Sequence, residues 1–221
     1  MNKKIDVALV VDCSGTLKNE KEAMESALNE MVVQLKKSPD LLGCDVYLSL
    51  VAFDDEIRDE ETFLFEPLKD FSRKIDLGNL QYQTNPGPAL KMITNKVLDR
   101  YEKWVEEDEM CFHPLVFFFT DGDPNPRDKY QKEYEEAARI IKGKEAGNKL
   151  LIVGCAFGDA VDIDNMNLIT QHSERILKVT NRAVGKLADF FKDIIPITLS
   201  RTVTMTGDQL IKVFKNYNEL E

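Results

Sequence analysis

Short apolar runs alternate with stretches of helical spacing along most of this chain. The first run, Val7-Ala8-Leu9-Val10-Val11, carries no polar alternation, so it predicts a strand covered on both faces. Over residues 20–36 the period changes to that of a helix. Ala23, Met24, Ala27, Leu28, Met31, Val32 and Leu35 then share one stripe. Residues 46–53 predict a second strand, turned by Asp54-Asp55. Residues 62–68 predict an edge strand, because Pro67 cannot donate to a ladder. A polar loop, 81–88, leads into a helix from Ala89 through Ile93, Val97, Tyr101 and Trp104, with Pro88 suited to its first turn.

Leu115-Val116-Phe117-Phe118-Phe119 is the most apolar run and predicts a central strand. A helix over 130–142 follows, with Tyr134, Ala137, Ala138 and Ile141 inward. Then come a buried strand over 150–156, a short helix near 163–170, a short strand over 176–179 and a helix over 184–195. Strands that alternate with helices predict a doubly wound α/β fold. Its central sheet is mostly parallel, with one antiparallel edge strand and helices on both faces. Residues 3–196 read as one domain. Residues 197–221 read as a C-terminal extension of strand-like and weakly helical composition.

The charge balance narrows the partners. A formal net charge of -10 repels phosphate backbones, so nucleic acid is excluded as an expected partner, and metal cations and basic protein patches are favoured. No stretch reaches the roughly 18 apolar residues of a membrane span. The apolar run after Lys3-Lys4 is too short for a secretory leader, so the expectation is a cytoplasmic protein with no membrane partner. Cys13, Cys44, Cys111 and Cys155 form no paired motif and read as buried free thiols.

Candidate chemistry collects where strands end. Asp12-Cys13-Ser14-Gly15-Thr16 follows the first strand, Thr84 lies in the polar loop, and Asp121 follows the most apolar strand. In open α/β sheets ligands bind at these carboxyl ends. Two carboxylates and three hydroxyls make an all-oxygen set, suited to Mg²⁺ or Mn²⁺. Each segment alone also reads as an ordinary turn or helix cap.

Taken together, the three segments resemble the von Willebrand factor A domain with a metal-ion-dependent adhesion site. That family carries Asp-x-Ser-x-Ser, a distant Thr and an Asp in a Thr-Asp-Gly turn. Asp12, Ser14 and Thr16 match the first part, with Thr where Ser is usual; Thr84 matches the second and Asp121 the third. The resemblance implies a Rossmann-like fold, metal ligation by these five residues, and an open coordination position for a carboxylate from another protein. Within the family the chain is similar to bacterial members of tellurite-resistance and stress operons, which implies a kinase or phosphatase encoded nearby as partner. An alternative is a Mg²⁺-dependent phosphatase, since Asp12-Cys13-Ser14-Gly15-Thr16 also resembles an Asp-x-Asp-Gly-Thr loop. Ser14 then stands where the acid/base carboxylate belongs. A structural subunit with a vestigial site is a third reading. Tyr82 and Asp123 flank the proposed ligands.

Overall fold

Residues 3–12 can form an uninterrupted strand because their side chains find apolar partners on both sides of the sheet. The computed structural model describes residues 2–19, 21–37, 43–80, 83–121, 124–157 and 161–179. In chain order the elements are β1 (Lys3–Asp12), α1 (Lys21–Lys37), β2 (Cys44–Phe53), β3 (Phe63–Pro67), α2 (Pro86–Glu106), β4 (Leu115–Thr120), α3 (Arg127–Ala146), β5 (Leu151–Phe157), α4 (Ile163–Met166) and β6 (Ile176–Val179). Single 3-10 turns lie at Gly15–Leu17 and Ser173–Arg175.

The strands form a six-stranded sheet in the order β3-β2-β1-β4-β5-β6. All neighbours are parallel except β2 and β3, so the Pro67 strand is the antiparallel edge. Alternate side chains of β1 serve two cores. Val7, Leu9 and Val11 pack with Phe117, Phe119 and the stripe of α1. Ala8 and Val10 pack with Phe118 and the inner faces of α2 and α3.

The chain leaves β1 toward β2 and leaves β4 toward β5, on opposite sides of the β1–β4 pair. The strand order therefore reverses between β1 and β4, and that reversal opens a crevice at their carboxyl ends.

Several element bounds differ from the sequence expectation. α2 starts at Pro86, because Pro86 and Pro88 both lie in a first turn whose N–H groups need no intrahelical partner. α3 extends from Arg127 to Ala146, past the apolar stripe at both ends. α4 is four residues long. Asp162 caps its start, with a side chain that accepts the Asn165 amide. Beyond it the Thr170 hydroxyl and the Gln171 amide turn aside to the Glu145 carboxylate. An unanticipated feature is residues 68–80, which have no regular structure and lie along α1. They bury Phe71, Ile75 and Leu77 in the α1 core, and the Asn29 side chain bonds both backbone groups of Ile75. The helix expected over 184–195 and the extension over 197–221 lie outside the described residues, as do Tyr82 and Asp123.

Candidate metal centre

Asp12 ends β1 and is buried, because the parallel strands on either side cover it. Its two carboxylate oxygens are both engaged. The Ser14 amide donates to Oδ1 at 2.8 Å, closing a tight Asx turn. The Thr120 hydroxyl donates to Oδ2 at 2.6 Å across the β1–β4 pair. Thr120 reaches Asp12 because β1 and β4 stay in register up to Val11 and Phe119. The strand register thus sets Asp12 beside the turn that carries Asp121.

Asp121 follows Thr120 directly and is half-buried. Burial pushes the Asp12 carboxyl above the ordinary carboxylate range, the neighbouring Asp121 charge pushes it further, and the hydrogen bonds from Thr120 and Ser14 pull it down. Two carboxylates that repel each other at a covered sheet end suit a cation between them. The donors around them are oxygens, the set that hard divalent ions take. The residues present therefore fit a Mg²⁺- or Mn²⁺-type ion.

Ser14 is buried beside Asp12, and its hydroxyl bonds to the Asp12 carboxylate. Thr16 falls in the 3-10 turn Gly15–Leu17, with its side chain outside the described set. Cys13 is buried between the proposed ligands, and its thiol approaches the Val11 carbonyl at 3.8 Å. Burial and the Asp12 charge push that thiol up, which leaves it protonated and unreactive at neutral pH.

Thr84 arrives from a separate loop and is held residue by residue. Its amide donates to the Asn125 carbonyl and its carbonyl accepts the Asn125 amide, each at 2.9 Å. This two-way bridge binds the Thr84 loop to the loop that follows Asp121. On one side Gln83 accepts the Tyr130 hydroxyl at 2.9 Å. On the other the Asn85 amide donates to the Asp54 carbonyl at 2.6 Å, and its side chain donates to Glu133 at 3.0 Å. Gly87 lets the first turn of α2 lie against the Glu133 backbone, where a Cβ would stand 2.9 Å from main-chain atoms. The Cys13 amide donates to the Phe53 carbonyl at 2.7 Å, which joins the first loop to the end of β2.

The three sequence segments thus lie at one sheet end, joined through backbone bonds to the loops after β2 and β4. Thr120, Asn125, Tyr130, Glu133 and Asp54 were not anticipated as supports. Only Thr120 had a readable signal, a hydroxyl at the end of the strand predicted to be central. Among the described residues no three His, Cys, Asp or Glu side chains cluster as a metal cage. No described helix is long and apolar enough to cross a membrane.

The family model of the von Willebrand factor type A domain matches residues 6–193. No curated protein matches the chain. Among solved structures, proximal thread matrix protein 1 from the mussel byssus, with a zinc-occupied MIDAS motif, aligns with a TM-score of 0.59 at 21% identity, over 90% of this chain and 46% of that one. The von Willebrand domain of the type V pilus tip protein Mfa5 from Porphyromonas gingivalis gives 0.64 at 12% identity, over 94% and 99%. Manganese-loaded TRAP protein from Plasmodium vivax gives 0.51 at 19%, over 86% and 74%. The chain spans about half the length of the mussel protein it matches.

Proposed function

The chain belongs to the von Willebrand factor type A domain family, and from that premise we propose that it is a metal-ion-dependent protein-binding module. Asp12, Ser14, Thr16, Thr84 and Asp121 would hold Mg²⁺ or Mn²⁺, and the bound ion would supply a Lewis-acidic position for a carboxylate of a partner protein. The observation that carries this reading is the Asn125 bridge, which ties Thr84 to the Asp121 loop at the strand end where Thr120 holds Asp12. Relatives with zinc and manganese in their crystal structures support it.

The chain's own groups act as a preset cradle. Thr120 and the Ser14 amide orient the Asp12 carboxylate, and the covered strand ends keep bulk water off it. The reading is of binding, not turnover. Ser14 stands where a phosphatase loop carries its second carboxylate, and a serine hydroxyl is a poor acid/base at neutral pH. The sequence likeness to tellurite-resistance and stress-operon members is the ground for placing the module in such a bacterial, cytoplasmic system, with a kinase or phosphatase as partner.

Calorimetry with Mn²⁺ and Mg²⁺ tests the site. Saturable binding by the wild-type chain, lost in Asp12→Ala and Asp121→Ala with circular dichroism unchanged, is the expected result. No heat of binding with either ion would sink the proposal. Release of phosphate from an aryl phosphate in Mg²⁺, abolished by Asp12→Asn, would replace it with the enzyme reading. Loss of tellurite survival in a strain carrying Asp12→Ala tests the cellular setting.

A further inference from the structure

Arg58 lies in the turn between β2 and β3, outside every motif that pointed to the metal centre. Its side chain is mostly buried, and it is the one basic residue among the acidic side chains of residues 54–61. Its guanidinium works as a fork. One tine, Nη1, donates to the Asn79 carbonyl at 2.6 Å. The other, Nη2, donates to Glu61 Oε1 at 2.6 Å. Nη1 also stands 3.9 Å from the Asp54 carboxylate. The Arg58 amide donates to the Ala52 carbonyl at 2.9 Å, so the fork is anchored to the end of β2.

The Asp54 side of this arrangement leads to Thr84 through the backbone. Asn79 lies five residues before Thr84, at the end of the segment that runs along α1. Asp54 accepts the amide of Asn85, the residue after Thr84. Arg58, Glu61 and Asp54 also lie within electrostatic reach of Cys13, between the proposed ligands Asp12 and Ser14. One guanidinium therefore joins the β2 turn to the end of the segment that runs along α1, within electrostatic reach of the Asp12–Ser14 turn.

Resting on the metal reading above, we infer that Arg58 is a positioning residue for the metal centre: its fork on Asn79 and Glu61, with Asp54 alongside, holds the β2 turn whose Asp54 carbonyl accepts the amide of Asn85, the residue after Thr84. A lysine keeps the charge but is a single point donor, and it cannot hold the Asn79 carbonyl and Glu61 in the fixed fork geometry. Outer partners of metal ligands commonly influence affinity by about 10–100-fold.

The test is Mn²⁺ titration of the full chain by calorimetry, with unfolding in EDTA recorded for each variant. Arg58→Gln is expected to weaken Mn²⁺ binding about tenfold. Arg58→Lys, which keeps the charge and gives a second variant if Gln unsettles the turn, is expected to weaken it similarly. In a Thr84→Ala background, Arg58→Gln is expected to change the affinity by less than about twofold, because its effect passes through Thr84. A purely structural role would lower the unfolding midpoint in EDTA without that dependence on Thr84. Unchanged affinity in Arg58→Gln, full rescue by Arg58→Lys, or losses that multiply in the double variant each overturn the inference while leaving the metal reading intact. A wild-type chain that takes up no Mn²⁺ overturns both.

Discussion

Asp6 offers a stringent test of how this sheet handles charge. It lies in β1 opposite Tyr47 of β2, only 1% exposed, far along the strand from Asp12. Among the described residues neither carboxylate oxygen has a hydrogen-bond donor. Arg100 of α2 approaches at 3.4 Å, itself stacked over Tyr47, Phe65 and Trp104 at 4.0, 4.5 and 4.7 Å. Burial pushes the Asp6 carboxyl from 3.8 up to about 7, with Arg100 pulling the other way. A folded value above the unfolded one means that the folded state holds the proton longer. The group therefore costs nothing below the unfolded value. Its penalty grows as pH rises and is complete above the folded value, at about 4 kcal/mol. Between about pH 5 and about pH 8 the wild type should lose about 2.5 kcal/mol through Asp6 alone. Asp6→Asn has no such titration and keeps the shape, and Arg100 keeps its ring contacts. Urea unfolding of both proteins at the two pH values isolates the effect, since all other groups cancel in the difference. The stability of Asp6→Asn relative to wild type should be about 2.5 kcal/mol more favourable at the higher pH. A relative stability that is the same at both values would refute the account of a buried, poorly compensated carboxylate.

Two further predictions concern packing and pairing. Gly87→Ala should cost about 1–3 kcal/mol in thermal unfolding, because the new Cβ meets the Glu133 backbone at 2.9 Å. Gly154→Ala should cost less, since the nearest atoms its Cβ meets are side-chain ends, those of Ile176, Met166 and Ile169, and not backbone. Equal losses would show that α2 and α3 can part freely. Glu145→Ala should destabilise by about 3–5 kcal/mol in chemical denaturation, because it strands the buried Arg175 and removes the acceptor for Thr170 and Gln171. A loss under about 1 kcal/mol would show that water solvates Arg175 there.

The fold was legible where one physical signal dominated. The unbroken apolar runs of β1 and β4 admitted only covered strands, and the stripe from Met24 to Leu35 admitted only a helix against one sheet face. Pro67 marked the edge strand through its missing donor. Residues 68–80 gave no such signal. Phe71, Ile75 and Leu77 follow neither period, and their order comes from Asn29 and Glu25 on α1, 46 and 52 residues away. The candidate ligands were legible as residue types at strand ends. Their supports were not, because Asn125, Tyr130, Glu133 and Arg58 are ordinary surface residue types. Only the tertiary contacts give them a role.

β1 is the shared wall of two cores, with odd-numbered side chains facing α1 and even-numbered ones facing α2 and α3. A slip of one residue would turn both sets to the wrong face at once. It would also carry Asp12 away from Thr120. The apolar contacts that select the correct alignment are thus the same ones that deliver the carboxylate to its place. A molecule that has completed both cores has, with no separate step, already assembled the β1–β4 half of its candidate metal centre.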